Sequence, residues 1–342
     1  MGIDLAQDAQ ATSSGPLVSL LLIAYRQAST VGTAVEAALA QTYSPLEIVI
    51  SDDASDDDTW ASIQAAVQGY SGPHRIILNR NAHNLGIGAH LSHLVELSRG
   101  ELLFVAAGDD ASLPHRCERV VQAWVAAQRK PDVIASALID TDASGQGHST
   151  IQPSDLSRYR NAADWLANPP FVVGAAQAWT RRLFDHFGPL PKGVVAEDLI
   201  MVFRAIVSGG AITLDEPLVR YRRGGISRRR RAMHADDVVE RLLKNNRHAL
   251  VELPQLLADA RTAGQLNAVQ SSLEARLERE RFIERLFAAR NLGQQLQQTL
   301  RSPGIAWSLR LRMLSYAAFP WVYAPFFWLK RALARREQAR LE

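Results

Sequence analysis

Cysteine is nearly absent from the chain: Cys117 is the only one among 342 residues. One thiol can form neither a disulfide framework within the chain nor a thiolate cage around a metal, which excludes both kinds of protein. The first fifteen residues are polar and lack a basic stretch followed by an apolar one, so we expect no secretory signal. Both observations favour a reducing, cytoplasmic location.

Each part of the chain is poor in charge of one sign. Residues 1–220 contain 15 Lys and Arg against 24 Asp and Glu, a net charge of −9, whereas residues 221–342 contain 23 against 11, a net charge of +12. The acidic part excludes a nucleic-acid surface, so we expect no nucleic acid as a partner. The basic part favours an anionic partner, such as membrane phospholipid or phosphate.

Apolar runs alternate with helical stretches over the first 220 residues. The continuous apolar runs are typical of strands buried on both faces. Strands are predicted at 16–24, 46–51, 75–78 and 101–106, and helices at 29–40, 58–67 and 87–98. This alternation predicts an α/β fold with a mainly parallel sheet and a ligand site beyond the carboxyl ends of the strands.

Polar segments follow three of the predicted strands: Ala24-Tyr25-Arg26, the acidic run at 51–58, and Gly108-Asp109-Asp110. Paired carboxylates such as Asp109 and Asp110 suit a hard divalent cation, which would stabilise a departing diphosphate. In the alternative interpretation, Asp110 caps the helix that begins near Leu113.

The acidic run itself divides in two. Asp52 and Asp53 directly follow a strand and can accept hydrogen bonds from a nucleotide base or from ribose hydroxyls. The acids at 56–58 precede a helix and are better explained as compensation of its dipole. Tyr25 either stacks on the base or is packed within the protein.

Seven short motifs resemble, in their order and spacing, those of the family 2 glycosyltransferases over residues 16–227. They are VSLLLIAYR at 18–26, LEIVISDDASDD at 46–57, NLG at 84–86, GE at 100–101, GDD with LP at 108–114, AEDL at 196–199, and EPLVRYR at 216–222.

The resemblance implies a GT-A fold, a nucleotide-sugar donor, a divalent metal (Mn or Mg) and inversion at the anomeric carbon. It implies that Asp198 is the general base with Glu197 beside it, and that Asp109 and Asp110 hold the metal. The resemblance also implies that the donor, with its metal, is bound by Ala24, Tyr25, Arg26, Asp52, Asp53, Gly108, Asp109, Asp110 and Arg222.

Two departures from the family pattern leave alternatives open. Ala107 stands where the metal motif has its first acid, and Arg223-Gly224-Gly225 replace a His and an Asn. Ala107 keeps open a non-catalytic scaffold of a polysaccharide assembly complex. A sugar nucleotidyltransferase would need a glycine-rich basic loop after the first strand, and residues 24–28 contain no glycine. Asp198 could also be a first-turn acid of the next helix.

The C-terminal part is helical over 237–300 and then apolar. Residues 313–329 are uncharged, include seven aromatics and are interrupted by Pro320 and Pro325, so they are too short and broken to span a bilayer. Basic residues on both sides favour an anchor in the membrane interface. The alternative is a helical hairpin packed against the catalytic domain or a partner subunit, and the four arginines at 228–231 could contact phosphate.

We therefore predict a disordered N-terminus (1–15), a GT-A glycosyltransferase domain (16–227), a helical region (228–304) that could form a homo-oligomer, and an amphipathic membrane-associating tail (305–342). The predicted function is transfer of a hexose or deoxyhexose from a nucleotide sugar to a saccharide or lipid-linked saccharide. The product would be a surface polysaccharide (O-antigen, capsule or exopolysaccharide), and the enzyme would be peripheral on the inner face of the cell membrane.

Overall fold

The structure is a computed structural model that describes residues 3–5, 15–142, 144–222, 235–323, 325 and 328. The chain forms two compact units. Residues 1–228 and 258–269 make up the first, which we call the α/β unit, and residues 229–257 and 270–342 make up the second, the helical unit. The four-part division predicted from the sequence stays a prediction, and it did not include the return of 258–269 to the first unit.

A ten-stranded sheet forms the centre of the α/β unit within the described residues. The strands are β1 Ile3–Leu5, β2 Val18–Ala24, β3 Leu46–Asp52, β4 Arg75–Arg80, β5 Leu102–Ala107, β6 Ala111–Ser112, β7 Val133–Thr141, β8 Gly147–Ile151, β9 Gln177–Thr180 and β10 Ala211–Arg222. Their order is β1-β4-β3-β2-β5-β9-β7-β10-β6, with β8 beside β7.

The contiguous run β4-β3-β2-β5 is parallel throughout, and so is the pair β7–β10, whereas β9 is antiparallel to both of its neighbours. The predicted α/β class is confirmed. Each of the four strands predicted from apolar runs lies within two residues of its predicted bounds. Within the N-terminus predicted to be disordered, β1 pairs with β4.

Helices cover the sheet because its central strands carry apolar side chains on both faces. Leu20, Ile48 and Phe104 are fully buried in a cluster that includes Val35 and Ile63 from the covering helices. The helices of this unit are α1 Val31–Leu39, α2 Thr59–Val67, α3 Ile87–Leu97, α4 Arg116–Ala126, α5 Ala162–Ala167, α6 Arg181–Phe187 and α7 Glu197–Ile206, with a short 3-10 turn at Gly174–Ala176.

The predicted C-terminal helices are confirmed as α8 Ala235–Thr262, α9 Leu266–Ala288, α10 Leu292–Leu300 and α11 Trp307–Ala318, followed by a 3-10 turn at Pro320–Tyr323. The core of the helical unit joins Phe282 and Leu286 of α9 to Met313 and Leu314 of α11. The first part of the apolar run at 313–329 is therefore packed inside this unit. In the part of the chain that the structure describes, no helix has the length and apolar content needed to cross a bilayer.

A buried ion pair ties the returning segment 258–269 into the α/β unit. Arg204 on α7 is fully buried, and its Nε lies 2.8 Å from Oδ2 of Asp259. The same guanidinium donates from Nη1 to the Gly188 carbonyl at 2.9 Å. Gln265 adds two more bonds, accepting from the Ala162 amide at 2.7 Å and donating to the Val207 carbonyl at 3.1 Å.

We predict that Arg204→Met lowers the free energy of unfolding by about 3–5 kcal/mol, because it leaves the buried Asp259 carboxylate without the guanidinium. The matched control is Arg119→Met, since Arg119 pairs with Glu216 at 2.7 Å on the surface and such pairs contribute less than about 1 kcal/mol. Urea denaturation measures both. Equal losses in the two variants would contradict the structural role given to Asp259.

Candidate functional site

The carboxyl ends of three parallel strands meet at one edge of the sheet. The register places Ala24 at the end of β2 beside Asp52 on β3, and Ile23 beside Ala107 on β5. The amide of Gly108 also donates to the Ile23 carbonyl at 2.9 Å. The three polar segments identified in the sequence therefore follow neighbouring strands and lie side by side.

The loop after β2 is fastened to the loop after β3 by Arg26. Its guanidinium binds the Asp56 carboxylate with two bonds, Nε to Oδ1 at 2.7 Å and Nη2 to Oδ2 at 2.6 Å, and this partner lowers the pKa of Asp56. Arg26 has a φ of +53°, a left-handed conformation, and its amide donates to Ser55 Oγ at 2.9 Å. The Tyr25 ring is exposed beside the guanidinium, with 5.3 Å between the Arg26 Cζ and the ring centroid. Tyr25 is thus presented to solvent rather than packed.

Asp52 shapes the turn that follows β3. Its carboxylate accepts from the Ser55 hydroxyl and, at 3.2 Å, from the Ser55 amide. Nε of Arg80 lies 3.1 Å from the other oxygen, and Asp52 has no exposed surface. The turn includes Ala54 at a φ of +58°. Asp52 is therefore occupied in holding the loop on which a ligand would rest.

Asp53 fastens the segment that leads into α3. Its Oδ1 accepts from the Leu85 amide at 2.9 Å and from Asn81 Nδ2 at 2.8 Å, and its Oδ2 accepts from the Gly86 amide at 2.9 Å. Gly86 precedes α3 with a φ of +79°, a conformation that favours glycine. Asp53 therefore connects the end of β3 to the start of α3, a role that the sequence analysis did not assign to it.

A buried histidine lies beneath Asp53. His90 Nε2 is 2.7 Å from Ser51 Oγ, and Nδ1 is 4.0 Å from Asp53 Oδ2. Burial, the larger effect, lowers the pKa of His90 to about 4 although the Asp53 charge opposes it. His90 is consequently neutral near pH 7 and acts as a packed polar residue.

The Asp109–Asp110 pair follows β5 in a largely buried turn. Asp110 Oδ1 accepts from the Arg222 amide at 2.8 Å, which joins this turn to the end of β10. Burial raises the pKa of Asp109. Burial, and then the neighbouring charge of Asp109, raises the pKa of Asp110 to about 8. The alternative in which Asp110 caps the following helix is wrong, because α4 begins at Arg116 with His115 as its N-cap.

The donor set of this pair fits a divalent cation. A bound cation would stabilise the charged form of both carboxyl groups, which burial disfavours, and carboxylate oxygens are ligands that Mg²⁺ and Mn²⁺ prefer. Within the described ranges no group of three or more His, Cys, Asp or Glu residues could hold a metal ion.

Arg116 is the important site residue that sequence reasoning missed. It is 1% exposed, and its guanidinium donates to Ser112 Oγ at 2.9 Å, to the Val105 carbonyl at 2.9 Å and to the Gln177 carbonyl at 3.2 Å. Its charge also opposes the rise in the pKa of Asp110. The sequence signal for it is only an arginine two positions after Pro114, since its burial comes from the surrounding strands.

Gln177 connects Arg116 to the start of α7. Its Nε2 is 3.4 Å from the Asp198 carbonyl, and its Oε1 accepts from Trp179 Nε1 at 2.7 Å. Asp198 is the second residue of α7, and its Oδ1 accepts from the Leu199 amide at 2.8 Å. Asp198 thus has the first-turn position that the alternative interpretation expected. A chain of contacts nevertheless links it through Gln177 and Arg116 to the turn of Asp110.

Glu197 is buried against a backbone that leaves it just enough space. A Cβ added at Gly174 would collide with Glu197 Oε1, so a side chain at residue 174 would displace the Glu197 carboxylate. Glu197 is 8% exposed. The structure therefore separates the two acids: Glu197 is enclosed, and Asp198 is half-buried.

The basic residues after β10 are only partly described. Arg222 lies at the end of β10, which the Thr141 hydroxyl joins to β7 by donating to the Tyr221 carbonyl at 2.9 Å. The substituted positions 223–225 and the arginines at 228–231 lie outside the described residues.

Comparison with protein families identifies the domain. Residues 19–188 match the model described as "Glycosyl transferase family 2", and they contain the edge formed by β2, β3 and β5. The chain belongs to this family.

Curated relatives agree with this assignment. The chain is 32% identical to "Putative glycosyltransferase EpsE" of Bacillus subtilis over 42% of this chain and 50% of that protein. It is 28% identical to "Succinoglycan biosynthesis protein ExoO" of Rhizobium meliloti over 73% of this chain and 74% of that protein. It is 34% identical to "UDP-Glc:alpha-D-GlcNAc-diphosphoundecaprenol beta-1,3-glucosyltransferase WfaP" of Escherichia coli over 28% of this chain and 36% of that protein. The chain thus spans half the length of the first of these relatives.

Among solved structures, that of S. aureus TarS has a TM-score of 0.50 to this chain at 13% identity. The match covers 88% of this chain and 52% of that one. It shows a shared fold, in agreement with the predicted GT-A class.

We predict that Asp53→Asn loosens the segment before α3, because an amide can replace only one of the two acceptor oxygens. Amide hydrogen exchange at Leu85 and Gly86 should become about 10- to 100-fold faster, which corresponds to about 1–3 kcal/mol. Asp58→Asn is the control, since Asp58 precedes α2 without a side-chain cap bond. Unchanged exchange in Asp53→Asn would contradict the fastening role.

Proposed function

We propose that this chain transfers one sugar from a nucleotide-sugar donor to a saccharide acceptor, with inversion at the anomeric carbon. The observation that supports this proposal most is that contacts connect the candidate donor-binding residues to Asp198 along one edge of the sheet. Gln27 joins Tyr25 to the Asp109–Asp110 turn, because its Oε1 accepts from the Tyr25 amide at 3.3 Å and its side chain bonds Asp109. Arg116 binds Ser112, just after that turn, and the Gln177 carbonyl, and Gln177 Nε2 lies 3.4 Å from the Asp198 carbonyl. A donor and an acceptor need such neighbouring sites, because the reaction joins them directly.

The nucleotide would bind at the ends of β2 and β3. Tyr25 stacks on the base, and the loop held by Asp52 and Asp53 presents hydrogen-bond acceptors to the base and ribose. The fork between Arg26 and Asp56 keeps the two loops together, so this part of the site is formed before the donor arrives.

The diphosphate would bind at the end of β5. Asp109 and Asp110 would hold a Mn or Mg ion there, which when bound would compensate the negative charge on the leaving diphosphate. Arg222, fixed through its amide to Asp110, contributes a cationic side chain at the same place. Because Ala107 replaces one acid of the family motif, the ion depends on these two residues and the phosphate oxygens.

Asp198 would act as the general base. The acceptor hydroxyl gives its proton to the Asp198 carboxylate while its oxygen attacks the anomeric carbon. The bond from that carbon to the diphosphate oxygen breaks in the same step, and the nucleoside diphosphate leaves with the electron pair. A single displacement from the opposite face inverts the configuration. Glu197, enclosed beside Gly174, fixes the start of α7.

The proposed acceptor is lipid-linked, and the proposed pathway is assembly of a bacterial surface polysaccharide by an enzyme peripheral on the inner face of the cell membrane. Two relatives support this: one is named for succinoglycan biosynthesis, and the name of another specifies a diphosphoundecaprenol-linked acceptor. The transferred sugar is a hexose or deoxyhexose.

We predict that Asp198→Asn lowers kcat by about 10²- to 10⁴-fold, because the base is lost, and leaves the dissociation constant of the donor within about two-fold, because Asp198 faces the acceptor. Release of nucleoside diphosphate and calorimetric donor binding measure the two quantities. The control is Asp185→Asn, an exposed acid on α6. An unchanged kcat in Asp198→Asn would contradict its role as the base, whereas the scaffold alternative predicts no turnover in the wild type and an unchanged phenotype in the variant.

We also predict that nucleotide sugar with Mn²⁺ raises the melting temperature of the protein by about 5 °C at saturation. Asp110→Asn should abolish most of that increase without lowering the melting temperature of the ligand-free protein, because it removes a carboxyl group whose charge is disfavoured by burial. A thermal-shift screen of nucleotide sugars, with and without Mn²⁺, tests this. If no nucleotide sugar stabilises the wild type and none is hydrolysed, the proposed function is wrong.

A further inference from the structure

Exposed apolar side chains are concentrated at one place in the sequence. Twelve large ones are exposed in the part of the chain that the structure describes, and nine of these lie between residues 292 and 328 of the helical unit. They are Leu292, Leu296, Leu300, Trp307, Leu311, Phe319, Trp321, Val322 and Trp328. A contiguous segment that exposes so much apolar surface indicates an interaction site.

Helix α10 contributes a leucine stripe to this segment. Leu292, Leu296 and Leu300 recur every four residues, are 44%, 43% and 65% exposed, and therefore lie along one face. On α10 only Thr299 is buried, and Gln295 and Gln298 are half-buried. The sequence analysis placed the start of the membrane-associating tail at residue 305, so this stripe adds a surface that precedes the predicted tail.

Arg310 holds α10 and α11 together. It is 6% exposed, donates from Nε to the Ile305 carbonyl at 2.6 Å and from Nη1 to the Thr299 carbonyl at 3.2 Å, and lies 4.6 Å from the ring centroid of Trp307. The leucine stripe and Trp307 therefore belong to one fixed helical hairpin.

The positive charge of this segment indicates which partner binds the exposed apolar side chains. Residues 285–336 contain nine Lys and Arg and no Asp or Glu. Arg290, Arg301 and Arg312 are exposed at the ends of α10 and on α11. Pairing with a second copy of the same surface would place like charges against each other, which is unfavourable. An anionic bilayer provides both an apolar interior for the exposed side chains and negative headgroups for the arginines. Exposed tryptophans such as Trp307 and Trp321 suit the headgroup level of a membrane.

We infer that the α10–α11 hairpin is a docking surface for anionic phospholipid, with the leucine stripe and Trp307 entering the interface and the arginines contacting headgroups. This inference deepens the membrane location proposed above and rests on it. It names the lipid class and the residues, and it extends the surface to α10.

The test is flotation of the full chain with vesicles of phosphatidylcholine alone and with about 30% phosphatidylglycerol. Wild-type protein should float with the anionic vesicles and be released by high salt. The variant Leu292→Gln/Leu296→Gln/Leu300→Gln should bind them at least about ten-fold more weakly. Val125→Gln, which changes an exposed apolar residue in the α/β unit, should bind like the wild type. Unchanged thermal unfolding would show that the triple variant is folded.

Arg290→Gln/Arg301→Gln/Arg312→Gln should lose the preference for anionic vesicles. The inference is overturned if wild-type protein does not float, if the leucine variant floats as well as the wild type, or if sedimentation shows a dimer that the leucine variant dissociates without vesicle binding in the wild type. Donor binding measured without vesicles should be the same in wild type and leucine variant. Its absence in both would refute the proposed function while leaving the docking surface to be judged by flotation.

Discussion

Parallel hydrogen bonding of β2 to β3 on one side and to β5 on the other positions the candidate site. These strands carry apolar residues on both faces, so they are buried between helices and end together at one edge of the sheet. The polar segments that follow them are brought together by this pairing, although Tyr25 and Asp110 are 85 positions apart in the sequence. The turns then take conformations that the strands alone would not impose, as the left-handed Arg26 and Ala54 show.

Several charged side chains at this edge form hydrogen bonds within the protein and thereby stabilise its own loops. Asp52 and Asp53 accept hydrogen bonds from their own and neighbouring loops, and Arg116 binds three groups in the interior. Such partners remove the cost of burying polar groups and hold the loops in one geometry. Under the proposed function, donor and acceptor contact the more exposed groups of this edge, above all the exposed Tyr25 and the half-buried Asp198.

The strands β2, β3, β4 and β5 could be predicted from the sequence to within two residues, because burial on both faces leaves a clear pattern, whereas β7 was not predicted although it is similarly buried. β10 could not, since Asp215, Glu216 and Pro217 interrupt it where the register shifts against β7. The acidic pairs at the strand ends were predictable from topology. The buried position of Arg116 and the exposed leucine stripe of α10 could not be predicted. Whether an arginine on a helix is buried, or leucines among glutamines are exposed, depends on the elements that pack beside them.

The return of residues 258–269 to the α/β unit determines where this protein can be cut. The family match ends at residue 188, yet the guanidinium of Arg204 is neutralised by a carboxylate 55 positions further along the chain. A fragment trimmed to the family boundaries would lose strands β1 and β10 as well as Asp259 and Gln265, and one trimmed at residue 227 would keep the strands but lose Asp259 and Gln265. Retaining residues 258–269 requires the whole of α8 and the start of α9 as well, so the α/β unit extends well beyond the segment that matches the family.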